Sequence, residues 1–415
     1  MTELRLGIAG AGIAALQVLP NLQALAGQVT LAALADLRAD NMAFFRERYG
    51  RPVATFDDVD AMCRSKDVDA VWIASPNALH AEHTIAAARY GKHVICEKPM
   101  AVTLDQCRAM VEAVERAGIK FVQGHSKVYD TPIRAMGEIL ASGALGRVIH
   151  IDSWNFNDWL LRSLTDSEVD TAQGSGVVFR QGPHQIDIVR FLAGGLVRSV
   201  RAAAGRHEPA FPKGEGSYTA FLEFADGTPA TLVFDGYGYF DSAELTWGIA
   251  ESGKRLKNPE SRIPRPRPTG PMSAAEKYAL VRAGNPYGYG PGGGWDEDSP
   301  RRNPFFGLTV VACERGVMRQ YPDGIYVYDA QGRREVPAPP HRGRAPELLE
   351  LYEAVTEDRP TLLDARWGMA TTEVCLAVLQ SARERREITL AHQTRAPVLP
   401  KRPAPEIAAA EGRAS

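Results

Sequence analysis

The sequence has few cysteines, no excess of either charge and no long apolar run. Its five cysteines, Cys63, Cys96, Cys107, Cys313 and Cys375, are scattered over 415 residues without C-x-x-C spacing, which argues against a disulfide framework or a metal site and favours the cytoplasm. The 48 Lys and Arg residues and 50 Asp and Glu residues leave a formal charge of -2, too small to attract nucleic acid or an anionic membrane globally. No run approaches the roughly 18 apolar residues of a membrane span. We therefore expect a soluble protein with a small-molecule partner.

The first part of the chain alternates short apolar runs with longer amphipathic ones, the pattern of βαβ units. Predicted strands cover residues 4–9, 29–35, 70–74, 93–96 and 120–122. Predicted helices cover residues 13–25, 40–49, 79–90 and 104–117. Residues 1–123 are therefore predicted to form an α/β dinucleotide-binding domain with a doubly wound parallel sheet of the Rossmann type.

Beyond residue 124, strand-like runs follow one another with turn signals between them. Predicted strands cover residues 148–154, 218–224, 229–234, 308–312 and 325–328, and predicted helices cover residues 132–141, 183–192, 347–356 and 365–384. Residues 124–392 are predicted to form an α+β domain for substrate binding and oligomerisation, with a mostly antiparallel open sheet. Because the helices would cover one face of this sheet, we expect the other face to join copies of the chain in a homodimer or homotetramer. Residues 393–415 are expected to form an extended tail.

Composition changes sharply between residues 261 and 300, where a loop is expected. From residue 284 to residue 300, nine of seventeen residues are Gly or Pro. Such a segment is either an irregular surface insertion, which we favour slightly, or a flap over the active site or an oligomer arm.

A glycine-rich turn follows the first predicted strand. Residues 10–15 match G-x-G-x-x-A, in which Gly10 makes the turn, Gly12 lets a pyrophosphate approach and Ala15 allows close packing. Asp36 lies at the end of the second predicted strand, where a carboxylate binds the adenosine ribose. Arg38 could instead attract the 2'-phosphate of NADP, so NAD is favoured while NADP stays possible.

The third and fourth predicted strands end in polar segments, at the sheet edge where ligands bind. His80 and His83 are one helical turn apart, but without a third ligand they more readily form a structural pair than a metal site. The predicted cofactor-binding residues of the glycine turn and these segments are Gly10, Gly12, Ile13, Ala14, Asp36, Leu37, Arg38, Ser75, Pro76, Asn77 and His80.

These motifs in combination resemble the Gfo/Idh/MocA oxidoreductases, which include glucose-fructose oxidoreductase and inositol dehydrogenase. The resemblance extends over essentially the whole chain and rests on residues 10–15, 76–80 and 97–99 and on His184 with Asp187. It implies that Glu97 and Lys98 also bind the cofactor, with Lys98 by the nicotinamide and the reacting hydroxyl. It further implies that His184 is the catalytic histidine and that Asp187 is a structural partner. Partial desolvation beside a cationic ring would lower the pKa of Lys98 towards the working range.

Arg180 departs from the family pattern D-x-G-x-H-x-x-D, which Gly182, His184 and Asp187 match. A guanidinium cannot relay a proton but binds carboxylates bidentately, so a carboxylate-bearing substrate is expected if Arg180 lines the pocket. Residues 170–174 and 180–185 resemble the 4,5-dihydro-4,5-dihydroxyphthalate dehydrogenase subgroup. The predicted substrate-binding residues are Lys127, Tyr129, Trp154, Asn155, Trp159, Arg162, Arg180 and His184, with Asn157 as a further candidate.

The predicted activity is hydride transfer between NAD and a cyclic carboxylate-bearing alcohol, with a phthalate cis-dihydrodiol of aromatic degradation as the expected substrate and with Lys98 and His184 moving the proton. Alternatives within the same fold are a sugar or polyol dehydrogenase and an NAD-dependent glycosidase. A cofactor-sensing regulator without turnover is a different class, which the presence of both Lys98 and His184 disfavours.

Overall fold

The first part of the structure is a six-stranded parallel sheet with helices on both faces. The computed structural model describes residues 3–124, 127–205, 208–257, 259, 268–285, 287–288 and 294–399. The strands are β1 (Leu4–Ala9), β2 (Val29–Ala35), β3 (Ala54–Phe56), β4 (Ala70–Ile73), β5 (His93–Cys96) and β6 (Phe121–Gln123). The helices between them are α1 (Ile13–Ala24), α2 (Ala39–Tyr49), α3 (Val59–Arg64), α4 (His80–Arg89) and α5 (Leu104–Ala117). The predicted Rossmann architecture is confirmed.

The order of these strands positions the site. The sheet runs β3-β2-β1-β4-β5-β6, so the chain changes direction across the sheet between β1 and β4. In such sheets ligands bind outside the carboxyl ends of the strands at this switch point. The turn after β1 and the segments after β2, β4 and β5 therefore meet along one edge.

A second sheet of nine strands follows. They are β7 (Val148–Phe156), β8 (Val197–Gly205), β9 (Ser217–Phe224), β10 (Pro229–Asp235), β11 (Leu308–Cys313), β12 (Gly316–Tyr321), β13 (Gly324–Asp329), β14 (Gly332–Pro337) and β15 (Ile388–Thr389). Their order is β14-β13-β12-β11-β7-β10-β9-β8-β15. The β10–β7 pair is parallel and the other pairs described are antiparallel, so the mostly antiparallel sheet is confirmed.

Helices pack on the inner face of this sheet. The helices of this part of the chain are α6 (Thr131–Ser142), α7 (Asp166–Val169), α8 (Gly176–Arg180), α9 (Gly182–Leu192), α10 (Ala274–Arg282), α11 (Ala345–Thr356) and α12 (Ala365–Glu384). Of these, α6, α8, α9 and α12 contact the second sheet, whereas α11 packs against β5 and β6 of the first sheet. All eleven residues of α9 are buried, because the helix has the sheet on one side and α12 on the other. This burial fixes the side chains that α9 presents at its N-terminus.

Several short elements were not predicted: β3, α3, α7, α8, β8, β12, β14 and β15. The expectation of a loop throughout residues 261–300 was also wrong, because α10 lies within this segment. Ser273 caps α10 and Glu276 bonds back to it in a capping box, a helix-start signal that the surrounding Gly and Pro residues obscured. Residues 261–267, 286 and 289–293 of the predicted loop lie outside the described residues.

The outer face of the second sheet carries aromatic side chains. The strand registers place Phe221, Asp152, Arg319 and Tyr326 in one row across the sheet, and Trp154 lies two residues from Asp152 on the same face. The side chains of Trp154 and Phe221 are each 45% exposed. This face therefore presents apolar surface outside the helical layer.

Residues 393–399 pack against the second part of the structure without a helix or strand. The backbone N–H of Ala396 donates to Gly194 O at 2.8 Å, and Leu399 is buried. The remaining residues of the predicted tail, 400–415, lie outside the described residues. Among the described helices, none combines the length and apolar character needed to cross a membrane.

Candidate active site

The turn after β1 fits the phosphates of a dinucleotide. Gly10 has φ +99°, and a Cβ there would lie 2.7 Å from Ala74 O, so glycine is required on two grounds. A Cβ at Gly12 would meet no described atom within 4 Å, so the turn is open on that side. Gly12 is the N-cap of α1, and no described side chain caps its N–H groups. The open turn and uncapped helix N-terminus together suit an anion.

Asp36 lies beside this turn, as predicted for a ribose-binding carboxylate. Its Oδ2 accepts a hydrogen bond from Ala11 N at 2.7 Å, and its Oδ1 accepts one from Arg38 N at 2.9 Å. These bonds fix the carboxylate next to the glycine turn. The residues present therefore fit an adenosine ribose and its pyrophosphate.

Lys98 follows β5 and bridges the two parts of the structure. Its Nζ donates to the carbonyl oxygen of Arg180, at the end of α8, at 2.7 Å. Burial of the ammonium, and next the nearby Arg180 guanidinium, lower the pKa of Lys98 to about 7. An amine with this pKa can exchange a proton at neutral pH.

His184 lies in the first turn of α9, four residues beyond Arg180. Its ring packs edge-on against Phe306, with centroids 5.1 Å apart, and the residue is 6% exposed. Asp187 is one turn further and accepts hydrogen bonds from Trp367 Nε1 at 3.1 Å and from Thr371 Oγ1. These bonds tie α9 to α12, which agrees with a structural role for Asp187.

His80, predicted to bind the cofactor, lines the cleft with both ring nitrogens close to backbone carbonyl oxygens. Its side chain is fully buried, with Nδ1 2.8 Å from Pro99 O and Nε2 2.9 Å from Ser75 O. Burial lowers its pKa, with the two carbonyls opposing that effect. The imidazole therefore spans the turns after β4 and β5. His83 Nδ1 lies 2.9 Å from the hydroxyl of Ser75 instead of sharing a site with His80.

Glu97 is held by a cation from the second part of the chain. Arg344, just before α11, places Nη2 2.5 Å from Glu97 Oε1 and 2.9 Å from Glu347 Oε2. Trp72 Nε1 also donates to Glu97, at 3.3 Å. Burial opposes ionisation of Glu97, but Arg344 outweighs it, and the pKa of Glu97 is lowered. Burial instead raises the pKa of Glu347 to about 7.

Arg180 shares a carboxylate with a lysine of α10. Its Nη2 lies 3.1 Å from Glu168 Oε1, and Lys277 Nζ lies 3.6 Å from Glu168 Oε2. The Arg180 side chain is 32% exposed and that of Lys277 is 10% exposed. Two cations around one carboxylate leave one net positive charge on this wall of the cleft.

Arg162 and Lys127 form a second charged group. Arg162 Nη2 lies 2.8 Å from Glu251 Oε1, and Arg162 Nε lies 3.4 Å from Asp158 Oδ1. Lys127 Nζ lies 3.6 Å from Asp130 Oδ2 and donates to Glu251 O at 3.4 Å. Because both cations have carboxylate partners, this group has little charge to offer a substrate.

One cleft of about 1610 Å³ brings most of the predicted site residues together. Those that line it are Gly10, Gly12, Ile13, Ala14, Asp36, Ser75, Pro76, Asn77, His80, Glu97, Lys98, Lys127, Tyr129, Asn155, Trp159, Arg162, Arg180 and His184, with Asn157. Of these, Asn77 uses its side-chain amide to donate to Gly174 O at 2.8 Å, across the two parts of the structure.

Three predicted site residues do not line this cleft. Leu37 is 87% exposed, and Arg38 turns towards Asp40 and Tyr278. Trp154 lies on the outer sheet face, because consecutive strand residues point to opposite faces and Asn155 points inward. Trp154 is therefore corrected from a substrate-binding residue to a residue of the outer face.

Sequence reasoning missed several charged and aromatic residues of the cleft: Glu168, Glu251, Lys277, Tyr278, Arg344 and Glu347. The capping box at Ser273 and Glu276 could have revealed the helix that carries Lys277 and Tyr278. Glu168 also belongs to a local signal, the capping box that it forms with Thr165, whereas Glu251 and Arg344 pair with Arg162 and Glu97, which are distant in the chain.

Comparisons with known proteins identify the family models and relatives that this chain matches. Residues 4–125 match the family model described as an oxidoreductase family with an NAD-binding Rossmann fold, and residues 133–245 match a GFO/IDH/MocA C-terminal domain. The chain is 32% identical over 385 residues to 1-carboxy-3-chloro-3,4-dihydroxycyclohexa-1,5-diene dehydrogenase of Comamonas testosteroni, covering 92% of this chain and 95% of that protein.

Two further relatives show the range of the similarity. Inositol 2-dehydrogenase of Klebsiella pneumoniae is 29% identical over 200 residues, which cover 48% of this chain and 57% of that protein. A solved structure from Bordetella bronchiseptica, assigned as a dehydrogenase, superposes with a TM-score of 0.80 at 33% identity and covers 94% of this chain and all of that one. With a whole-length relative, both domain models and a cofactor turn of the matching form, the chain belongs to the Gfo/Idh/MocA family of NAD-dependent oxidoreductases.

Proposed function

We propose that the protein oxidises a ring alcohol that carries a carboxylate, with a phthalate-type cis-dihydrodiol as substrate. The observation that carries this proposal is Arg180, which lines the same cleft as Lys98 and His184. A half-buried guanidinium beside the reacting groups suits a substrate carboxylate. The Comamonas testosteroni relative supports the assignment, since its name describes a ring with one carboxyl and two adjacent hydroxyl groups.

Lys98 and His184 are the groups proposed to move the proton. With its pKa lowered to about 7, Lys98 is partly neutral at neutral pH and can accept the proton of the hydroxyl. His184 is a second acceptor within the same cleft. NAD held by Gly10, Gly12 and Asp36 would supply the acceptor for the hydride on the carbon that bears the hydroxyl. The ketone formed from a dihydrodiol then tautomerises to a catechol, which favours oxidation.

The position of Glu168 favours a substrate that carries two carboxylates. It lies between Arg180 and Lys277, so a substrate anion on either side of Glu168 would meet a cation. The two carboxylates of a phthalate ring suit this arrangement better than a neutral sugar does.

A polyol is the second candidate substrate. The carboxylate partners of Arg162 and Arg180 favour it, because paired cations attract a substrate anion less strongly. Asn155 and Asn157 also line the cleft, and their amides can bind hydroxyl groups. The inositol dehydrogenase relative agrees with this possibility over the part that it covers.

Initial rates with a panel of alcohols test the assignment. The panel contains the cis-dihydrodiols of phthalate, benzoate and benzene and myo-inositol, each with NAD, and the absorbance of the reduced cofactor is followed. We expect kcat/KM for the carboxylated diols to exceed that for the benzene diol at least tenfold. Turnover of inositol without turnover of any diol would contradict the proposal in favour of the polyol assignment.

We propose that the outer face of the second sheet, which carries Trp154 and Phe221, joins copies of the chain in a homodimer or homotetramer. Exposed aromatic side chains on a continuous sheet face are typical of such interfaces. Sedimentation at micromolar concentration tests the association.

The proposed boundary between the cofactor and substrate domains lies at residues 123–124, since β6 ends the parallel sheet at Gln123.

A further inference from the structure

Helix α10 belongs to the substrate part of the chain but contacts the cofactor part. It lies between β10 and β11 in sequence, yet the Tyr278 ring stands 4.4 Å from the guanidinium carbon of Arg38. Arg282, one turn further along, places Nη2 2.7 Å from Asp40 Oδ2. Both contacts are made to the segment that follows β2. An element of the second domain therefore rests on the loop beside the ribose-binding carboxylate Asp36.

Arg38 is the residue that made the choice between NAD and NADP ambiguous. Its Nε and Nη2 bond to the two carboxylate oxygens of Asp40, at 3.2 and 2.8 Å, and its flat face lies over Tyr278. An arginine binds phosphate through the same fork of N–H groups. The fork that a 2'-phosphate would need is occupied by Asp40, and the Tyr278 ring restrains the guanidinium face.

The charges around this loop already balance. Asp36 accepts a hydrogen bond from the backbone N–H of Arg38, and the guanidinium groups of Arg38 and Arg282 both bond to Asp40, so two charges of each sign lie close together. A 2'-phosphate would add about two negative charges next to Asp36. To neutralise it, Arg38 would have to leave both Asp40 and Tyr278.

We propose that Tyr278, a residue of the substrate domain, determines cofactor choice by holding Arg38 on Asp40 and away from a 2'-phosphate. The predicted ambiguity at Arg38 is then resolved by a contact between residues 240 positions apart in the sequence. Arg282 fixes the end of α10 on the same carboxylate. The selectivity for NAD thus depends on Asp36, which favours the ribose hydroxyls, and on Tyr278, which keeps the neighbouring cation occupied.

Binding of each cofactor to the full-length protein tests this proposal without any substrate. Dissociation constants for NAD and NADP are measured by isothermal titration for the wild type, Y278A, Y278F and the double variant D40N/Y278A. We expect Y278A to lower the ratio of the NADP to the NAD dissociation constant at least fivefold, through tighter NADP binding. The double variant should lower it further, whereas Y278F keeps the ring and should leave the ratio within twofold.

A similar group elsewhere provides the matched control. Arg64 bonds to Asp60 at 2.7 Å and lies over the Tyr90 ring at 5.8 Å, outside the cleft. Y90A should leave the cofactor ratio unchanged, and adding Arg38→Ala to Y278A should abolish the gain in NADP affinity. Unchanged ratios in both Y278A and the double variant, or a gain that persists without Arg38, would overturn the proposal. So would a wild type that binds NADP more tightly than NAD.

Discussion

The two walls of the cleft are built differently. The wall from the first domain presents backbone groups and short turns at strand ends, as at Gly10, Gly12 and Ser75, with Asp36 fixed by neighbouring N–H groups. The wall from the second domain presents ionic side chains, such as Arg180 on Glu168, paired between separate segments. The first wall fits the backbone shape of a dinucleotide through its turns, whereas the second can discriminate between substrates by charge.

Lys98 is where these two walls meet. It stands on the first wall, but its hydrogen bond goes to the second, and the pKa that makes it useful depends partly on Arg180. Cofactor binding and proton transfer should therefore be separable by substitution. The following experiments test that separation.

The largest expected effect is the loss of turnover in Lys98→Met. Removing a positioned acid or base typically costs about 10²- to 10⁴-fold in rate, so kcat should fall within this range, while the dissociation constant for NAD stays within a few fold. Stopped-flow rates and cofactor titration measure the two quantities. Lys120→Met, which removes a lysine paired with Asp358 away from the cleft, should leave both unchanged. A near-normal kcat in Lys98→Met would show that Lys98 does not transfer the proton.

Arg180→Met should act on the substrate, not on the cofactor. Loss of a charge-assisted contact should raise KM for a carboxylated diol tenfold or more, about 1.4 kcal/mol, and leave KM for an uncharged diol nearly unchanged. Steady-state kinetics with both diols measure the difference. Arg366→Met, which breaks an exposed pair with Glu115, serves as the control. Equal effects on both diols would mean that Arg180 does not contact a carboxylate.

A smaller effect is expected on the pH dependence of oxidation. Since neutral Lys98 accepts the proton, kcat/KM should rise with pH through about 7 in the wild type. Arg180 lowers the pKa of Lys98, so Arg180→Met should move this rise to higher pH and reduce the rate most below neutrality. Profiles from pH 5.5 to about 9.5 with an uncharged diol would show the shift. A shift to lower pH would contradict the assigned electrostatic coupling.

The smallest effect on turnover is expected from Trp154→Glu, since Trp154 faces away from both walls. A charge on the outer sheet face should weaken self-association by at least tenfold while leaving kcat nearly unchanged. Sedimentation velocity over a range of concentrations measures the association. An unchanged association constant would mean that the interface lies elsewhere. A large loss of kcat in a folded variant would mean that Trp154 contributes to the cleft.

The two walls also differ in how far the sequence predicts them. Gly10, Asp36 and Lys98 follow predicted strands within a few residues, so local spacing was sufficient to assign them. Glu97 is bonded to Arg344, 247 residues away, and no local pattern connects such a pair. The long-range ion pairs could therefore be found only once the chain was folded.

One error and one incomplete prediction have simple physical causes. Trp154 and Asn155 were both assigned to the cleft, although neighbouring residues on a strand face opposite sides. His80 was grouped with the cofactor residues by its position in a motif, but its ring is buried between two backbone carbonyls. Alternation along β7 could have separated the first pair, whereas only the packing of the turns reveals the role of His80.

The hydrogen bond from Lys98 to the Arg180 carbonyl also has a directional consequence. A carbonyl oxygen has no proton to give, so the amine must spend an N–H on it whether charged or neutral. In the neutral amine, that bond restricts the orientations open to the lone pair. One domain thus carries the base, and the other helps to orient its lone pair. A sliding motion between the two domains would therefore change the direction of the lone pair before it lowered the basicity of the amine.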